Sequence, residues 1–420
     1  MKKFLIFFLI AGNGLIAQFN NDFLFYSNYK RNISANAEYE INSNSINNAF
    51  IDKFYFGGYI DSTMKNNVSE KLSGYNRIGG HANLNMVSFF GKDSSSISFL
   101  VGLKEQKIFN ANFSSDFFKL GFYGNKRYQG ETANLSNTNI NYYSFQELKF
   151  GMVWDNVDTT GASMGIAISY LKGQNMFQLR TNNTSLYTAP DVSQVSLTTK
   201  ASLAFSDTVH TGPDAINGNG LSAEFFVETP YVSKLGKSKF FVSVNNLGFI
   251  RWNKNTRNYA ADSTFTWSGI KVDNLFSIKD STIKSIQSDS ILNNSTEYSR
   301  HYVSTNLPTS LLILHKIQFN RSFTLTNGFR HMFNGNYKPY IFIETEFTFN
   351  KIFSSNLHIG YGGYGRFNSG LSVACKLADR FIIRAGSNSI QGFIVPESTL
   401  GQGAYFSLTY KIKYSPKDKK

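Results

Sequence analysis

Alternation in segments of about ten residues constrains this chain more than any other feature. Ala82, Leu84, Met86 and Phe90 alternate with Asn83 and Asn85. A turn at Gly91–Ser95 follows, and then Ile97, Phe99, Val101 and Leu103 alternate with Ser98 and Gly102. The pattern returns at Leu148–Trp154, Met164–Tyr170, Val195–Leu203, Phe240–Val244, Ile341–Phe349 and Phe367–Leu377. It is cleanest at the end, where Ala404, Phe406, Leu408, Tyr410, Ile412 and Tyr414 alternate with Ser407, Thr409, Lys411 and Lys413. A period of two places alternate side chains on opposite faces of a strand, so the chain reads as all-β.

A soluble sandwich alternates too, with its apolar face inward. Three features favour a membrane barrel. The segments are about nine to eleven residues long, the length of a tilted bilayer crossing. Their polar faces carry Lys, Glu, Asn and Gly, as a wet lumen would. Trp154, Tyr170, Tyr410 and Tyr414 stand near segment ends, where girdle aromatics belong. Composition agrees: aromatic residues are 16% and charged residues 17%, with 40 Phe and 23 Tyr, too many aromatics for a disordered chain. All seven prolines are expected at turns or strand ends. A single cysteine, Cys375, excludes a disulfide scaffold.

Met1-Lys2-Lys3, the apolar run Phe4–Ala11 and the small residues up to Ala17 read as a cleavable signal peptide, residues 1–17, with cleavage after Gly14 as the alternative. The run is too short for a membrane helix, which needs about 20 residues. Residues 18–414 are expected to form one barrel domain in the cell outer membrane, in which 18–80 serve as a plug or as early strands. Residues 415–420 form a basic tail. Ser115–Phe122 reads as a short helix capped by Ser114 or Ser115, and residues 271–300 as a long loop with partial helix.

The formal charge of +14 comes from scattered Lys and Arg rather than a stripe, so no nucleic-acid partner is expected. Outer-membrane lipid and lipopolysaccharide are the expected neighbours. Gly360-Tyr-Gly362-Gly-Tyr-Gly365 fits G-x-G-x-x-G formally but leads into another alternating segment rather than a helix. It reads as glycines that make room for lumen neighbours or a bend. The six histidines have no H-x₃-H or H-E-x-x-H spacing, and no nucleophile motif stands out. Neither catalytic, metal nor cofactor residues are therefore expected, and the chain is not expected to be an enzyme. Glu147, Glu224, Glu344 and Glu346 lie on polar strand faces. They are the candidate lumen-facing residues, either paired with Lys or Arg across strands or setting pore selectivity.

Phe54-Tyr-Phe-Gly-Gly-Tyr-Ile-Asp61, Val101-Gly-Leu-Lys-Glu105, Phe117-Phe-Lys-Leu-Gly-Phe-Tyr-Gly-Asn125 and Phe241-Val-Ser-Val-Asn-Asn-Leu-Gly-Phe-Ile-Arg-Trp252 occur in order along the chain. In these phrases it resembles a family of Bacteroidetes-type outer-membrane barrels of unknown function, itself similar to the FadL and PorV barrels. The resemblance implies a transmembrane antiparallel β-barrel of roughly 14 strands, with long loops and a few short helices, monomeric and with no known reaction. The Asn-Pro-Ala start of FadL-like barrels is absent, the first proline being Pro190, so the resemblance carries over no N-terminal plug. Two functions are expected as alternatives. One is passing or binding a small, hydrophobic molecule. The other is service as an accessory barrel that binds subunits of a secretion, gliding or surface-attachment machinery.

Overall fold

A computed structural model of the protein describes residues 22–25, 31–92, 95–268, 297–350, 352–378 and 380–412. The expected signal peptide, the helical part of the 271–300 loop and the basic tail lie outside them.

The strands of the first half are β1 (Asn32–Ser43), β2 (Asn76–Gly91), β3 (Ile97–Phe113), β4 (Thr132–Asn134), β5 (Asn139–Trp154), β6 (Ser163–Thr188), β7 (Gln194–Phe205), β8 (Gly218–Ser233) and β9 (Gly236–Trp252). Those of the second half are β10 (Arg257–Ser268), β11 (Glu297–Arg300), β12 (Val303–Asn306), β13 (Ser310–Gln318), β14 (Phe323–Met332), β15 (Lys338–Thr348), β16 (Phe353–Gly363), β17 (Phe367–Leu377), β18 (Phe381–Ser387) and β19 (Gly401–Lys411). Among the described residues, 14 of these strands close an antiparallel ring: β1, β2, β3, β5, β6, β8, β9 and β13 to β19. The last strand closes on the first, from Asn32↔Lys411 to Asn42↔Gly401.

The expected facing holds in the strands where alternation is clearest. Leu84, Met86, Phe99, Leu103, Phe150, Ile166, Ile168, Leu221, Ile343, Ile359 and Phe406 are exposed on the outside. Their sequence neighbours Asn83, Asn85, Ser98, Lys104, Lys149, Ala167, Ser169, Ser222, Glu344, His358 and Ser407 are buried inside. An apolar outside around a polar inside is the arrangement of a barrel that crosses a bilayer by strands. No helix among the described residues is long and apolar enough to cross a membrane.

Connections at one end of the ring are short, as between β2 and β3 or β8 and β9. The other end carries the long ones. There α1 (Asn48–Phe56), α2 (Ser62–Ser69) and α3 (Ser115–Tyr123) pack through Ile46, Phe50, Ile51, Val68, Phe113 and Phe118. Each of the three has a side-chain N-cap, from Asn47, Asp61 and Ser114 respectively. The short α4 (Gln391–Ile394) lies between β18 and β19.

β2, β3, β5, β8 and β9 run for 16 or 17 residues rather than the expected nine to eleven, and β6 is longer still. β6 runs for 26 residues. Its first part pairs with β8 as far as Gly173, and its remainder pairs with β7 from Phe177. β7 in turn pairs with β10, and β10 with β11. The alternation at Val195–Leu203 therefore builds an extension beyond the ring, where hydroxyl pairs such as Thr198–Thr264 and the exposed Lys200–Asp262 ion pair suit water on one face, while Leu197 on the other packs against Leu120, Tyr128, Ala133 and Leu135. Pro230 corrects the expectation that all prolines sit at turns or strand ends, since it lies within β8. Pairing of β8 with β6 has already stopped at Glu228, so no ladder donor is lost on that side.

The glycine motif builds a hairpin end, as its sequence context implied. Gly362 and Gly363, the last two residues of β16, take φ of 116° and 67° ahead of the turn into β17. A Cβ on Gly360 would collide with the phenol of Tyr340.

Candidate functional site

The lumen is closed across its width near the end with short turns. Inward side chains from opposite walls meet there: Val87, Phe89, Leu100, Val153, Phe226, Phe241, Leu312, Leu314, Phe342 and Tyr405. Phe23 and Leu24, from the segment preceding β1, complete this cluster. The Phe23 ring lies 4.5 Å from that of Phe226. A piece of chain that is not a wall strand therefore fills the middle of the barrel, despite the missing Asn-Pro-Ala start.

A charged cluster holds that piece. Lys149 Nζ donates to Asp22 Oδ2 at 2.5 Å and to Glu224 Oε2 at 2.7 Å, with Glu147 Oε1 at 3.3 Å. Asn85 donates to the other Asp22 oxygen, and Ser169 donates to Glu147. All four charged side chains are almost wholly shielded. Three carboxylates around one ammonium need a second positive charge, and Lys104, buried and in register with Glu147, supplies it nearby. Strand period alone places Glu147 and Lys149 side by side. Glu224 arrives through the register of β6 with β8, which sets it opposite Ala167, and it faces a β-bulge in β9, where pairing jumps from Ala223↔Leu247 to Phe225↔Val244 and Asn246 turns to φ 56°.

Glu344 and Glu346 sit apart from this cluster. Glu344 binds His358 Nδ1 at 3.0 Å, and His358 Nε2 is hydrogen-bonded to Tyr340 Oη at 2.6 Å. Glu346 faces Lys316 at 3.6 Å. Of the four expected glutamates, Glu147 and Glu224 are brought together and the other two are not.

The end with long connections holds a cavity of about 690 Å³. Asn139, Asn141, Tyr143, Gln178 and Arg180 line one wall, and His331, Met332, Phe333, Asn336 and Tyr337 the other, with Val303–Asn306 between. Gln178 bridges Asn141 Oδ1 and the Tyr143 hydroxyl. Burial pushes the Tyr337 and Tyr364 phenols up, so both remain neutral donors at this mouth. The sequence reading missed this cavity, because its residues come from strands on opposite sides of the ring and from turns. It also missed Glu38, Glu40 and His81, which β1–β2 pairing brings together inside the wall. Alternation in β1 signals that both glutamates face inward, but nothing in the sequence signals the histidine opposite.

A family model for a family of unknown function, DUF5723, matches residues 25–382. The chain belongs to that family. No curated protein matches it. Among solved structures, this DUF5723 barrel is similar to the toluene transporter TbuX of Ralstonia pickettii, with 8% identity over 92% of this chain and 90% of that one and a TM-score of 0.44. It is similar to a TodX monoaromatic hydrocarbon channel mutant, with 10% identity over 91% of each chain and a TM-score of 0.46. A Pseudomonas aeruginosa FadL homologue matches at 10% identity over 91% of each chain, with a TM-score of 0.42. Values this low carry no functional argument, so function rests on the geometry of this chain.

Proposed function

We propose that this protein is an outer-membrane barrel that takes up a small molecule at its mouth cavity and passes it inward when the segment around Asp22 moves aside. The closure carries the reading. The described part of the filling segment, Asp22–Phe25, is held by the Lys149 ammonium, the Asn85 amide and packed rings and belongs to no wall strand, so it can leave without breaking the barrel. Outer-membrane placement is supported by the apolar outside, and export by the basic and apolar N-terminus. The cavity wall combines Asn, Gln and Arg with Val303, Met332, Phe333 and two tyrosines. That mixture suits an amphipathic molecule, with an apolar body and a polar group.

The test is conductance in a planar bilayer. The intact barrel is expected to stay closed, and the double variant Asp22→Ala/Phe23→Ala to open and pass small solutes. A variant as silent as the parent, though folded, would remove the gating reading. Cell fractionation checks placement: a membrane-bound species that migrates differently before boiling is expected, and recovery in a soluble fraction would end the outer-membrane reading.

One observation favours a second reading, an accessory barrel that docks protein subunits of a secretion, gliding or surface-attachment machinery. Phe54, Tyr55, Phe56 and Tyr59, at and beyond the end of α1, are 55, 78, 77 and 82% exposed. Clustered exposed aromatics mark interaction surfaces. Loss of copurifying subunits in Tyr55→Ser/Phe56→Ser, with conductance behaviour unchanged, would select this reading over uptake.

A further inference from the structure

Glu38 and Glu40 stand two residues apart on β1, and both turn into the barrel. Pairing with β2 sets His81 opposite Glu40 and Asn83 opposite Glu38. His81 Nε2 lies 2.9 Å from Glu38 Oε1, and the side chains are only 8% and 4% exposed. Ligand atoms of Glu38, Glu40 and His81 all lie within 4.8 Å of one another. Glu40 also accepts a hydrogen bond from the Asn42 amide.

Two further observations separate this group from an ordinary ion pair. Glu38 Oε2 is buried without a hydrogen-bond partner. Asn83 is 5% exposed, directly across the ladder from Glu38, and neither its Oδ1 nor its Nδ2 has a partner. Leaving a buried polar group unsatisfied costs about 1–3 kcal/mol, and more when it is charged. Both groups turn into the barrel beside the imidazole. Arg330, from the opposite part of the ring, faces the same two carboxylates and offsets part of their charge.

We infer that Glu38, Glu40 and His81, with Asn83 Oδ1 as the fourth donor, bind a divalent first-row transition cation in the barrel wall. The donor set decides the class. One imidazole with carboxylate and amide oxygens suits Zn²⁺, Mn²⁺ or Fe²⁺, whereas Ca²⁺ and Mg²⁺ take oxygen ligands throughout. Three atoms this close need shifts of the order of 1 Å to reach ligand distances of about 2.0–2.2 Å. The site joins the first two strands, so the ion would tie β1 to β2 from within. It does not depend on whether the barrel transports anything.

The test uses the full barrel, purified in detergent, stripped with chelator and titrated with Zn²⁺ alone by calorimetry and metal analysis. One Zn²⁺ per chain is expected. Glu38→Gln and His81→Gln should each weaken binding about tenfold or more, since even second-layer changes weaken metal sites by that much. His210→Gln should bind as the parent does, because His210 is 73% exposed beside Asp207 and serves as the control for surface binding. Titration with Co²⁺ adds a spectroscopic readout, in which the absorption of a four-coordinate ion with an imidazole ligand should be lost in His81→Gln. No stoichiometric Zn²⁺ in the parent overturns the inference whatever the variants do. Parent-like affinity in a heat-modifiable Glu38→Gln barrel overturns it too, as does binding that disappears only in His210→Gln.

Discussion

Ile168→Lys is expected to abolish most of the folded barrel recovered in membranes. Ile168 lies in the middle of the ring-forming part of β6, between neighbours Phe150 and Ala223, and is 59% exposed. In water, a surface exchange at so open a position changes stability by no more than about 0.5 kcal/mol. In hydrocarbon, a lysine near mid-bilayer costs about 2–4 kcal/mol. The same substitution therefore reports which solvent the outside meets. Thr198→Lys, exposed on the extension, should assemble normally, because its face of that sheet is polar, with Thr264 opposite it and the exposed Lys200–Asp262 pair beside it. Yield of the heat-modifiable species in outer-membrane fractions is the measurement. Equal yields for the two variants would mean that the ring's outside faces water.

Lys149→Met should cost about 3–5 kcal/mol, the loss typical of breaking a buried ion pair from one side. It leaves Asp22, Glu147 and Glu224 facing one another with only Lys104 near them, and Lys104 Nζ makes no hydrogen bond. Urea unfolding of the barrel reconstituted in bilayers measures the loss. Lys149→Met combined with Glu224→Gln and Asp22→Asn should recover much of it, because Glu147 is then the one carboxylate of the cluster and Lys104, in register with it, is its counter-charge. The two also differ in their hold on Asp22. The single variant should release the segment around Asp22, detected as protease cleavage close to Asp22. Full stability in Lys149→Met would show that the cluster does not hold the closure.

Asn245-Asn246 illustrates where sequence reading stops. Strand period assigns Phe240, Val242 and Val244 to one face, and the same phase carried onward would turn Leu247 and Phe249 inward. The bulge at Asn246 inserts one residue, so both remain exposed outside. Gln174 does the same in β6, where pairing with β5 skips from Gly173 to Asn175. Asparagine tolerates the left-handed backbone such a bulge needs, but the type of residue does not announce the position.

Alternation by itself determined the class, the facing of the ring strands up to their bulges and the inward aim of Glu147, Glu224, Glu344 and Glu346, because a period of two leaves each side chain only two directions. The helix start at Ser114 or Ser115 and the hairpin at Gly360–Gly365 were equally legible, since local hydrogen bonding and backbone freedom decide both, and the structure selects Ser114 as the cap. Only the tertiary structure decided which inward residues meet. Lys149 reaches Asp22 across 127 positions of sequence, and the mouth cavity and the Glu38–His81 group likewise join strands through closure and register. Closing the ring brings every inward face towards one axis. The partners across that axis follow from strand number, stagger and bulges summed over the whole circuit, which no local pattern encodes.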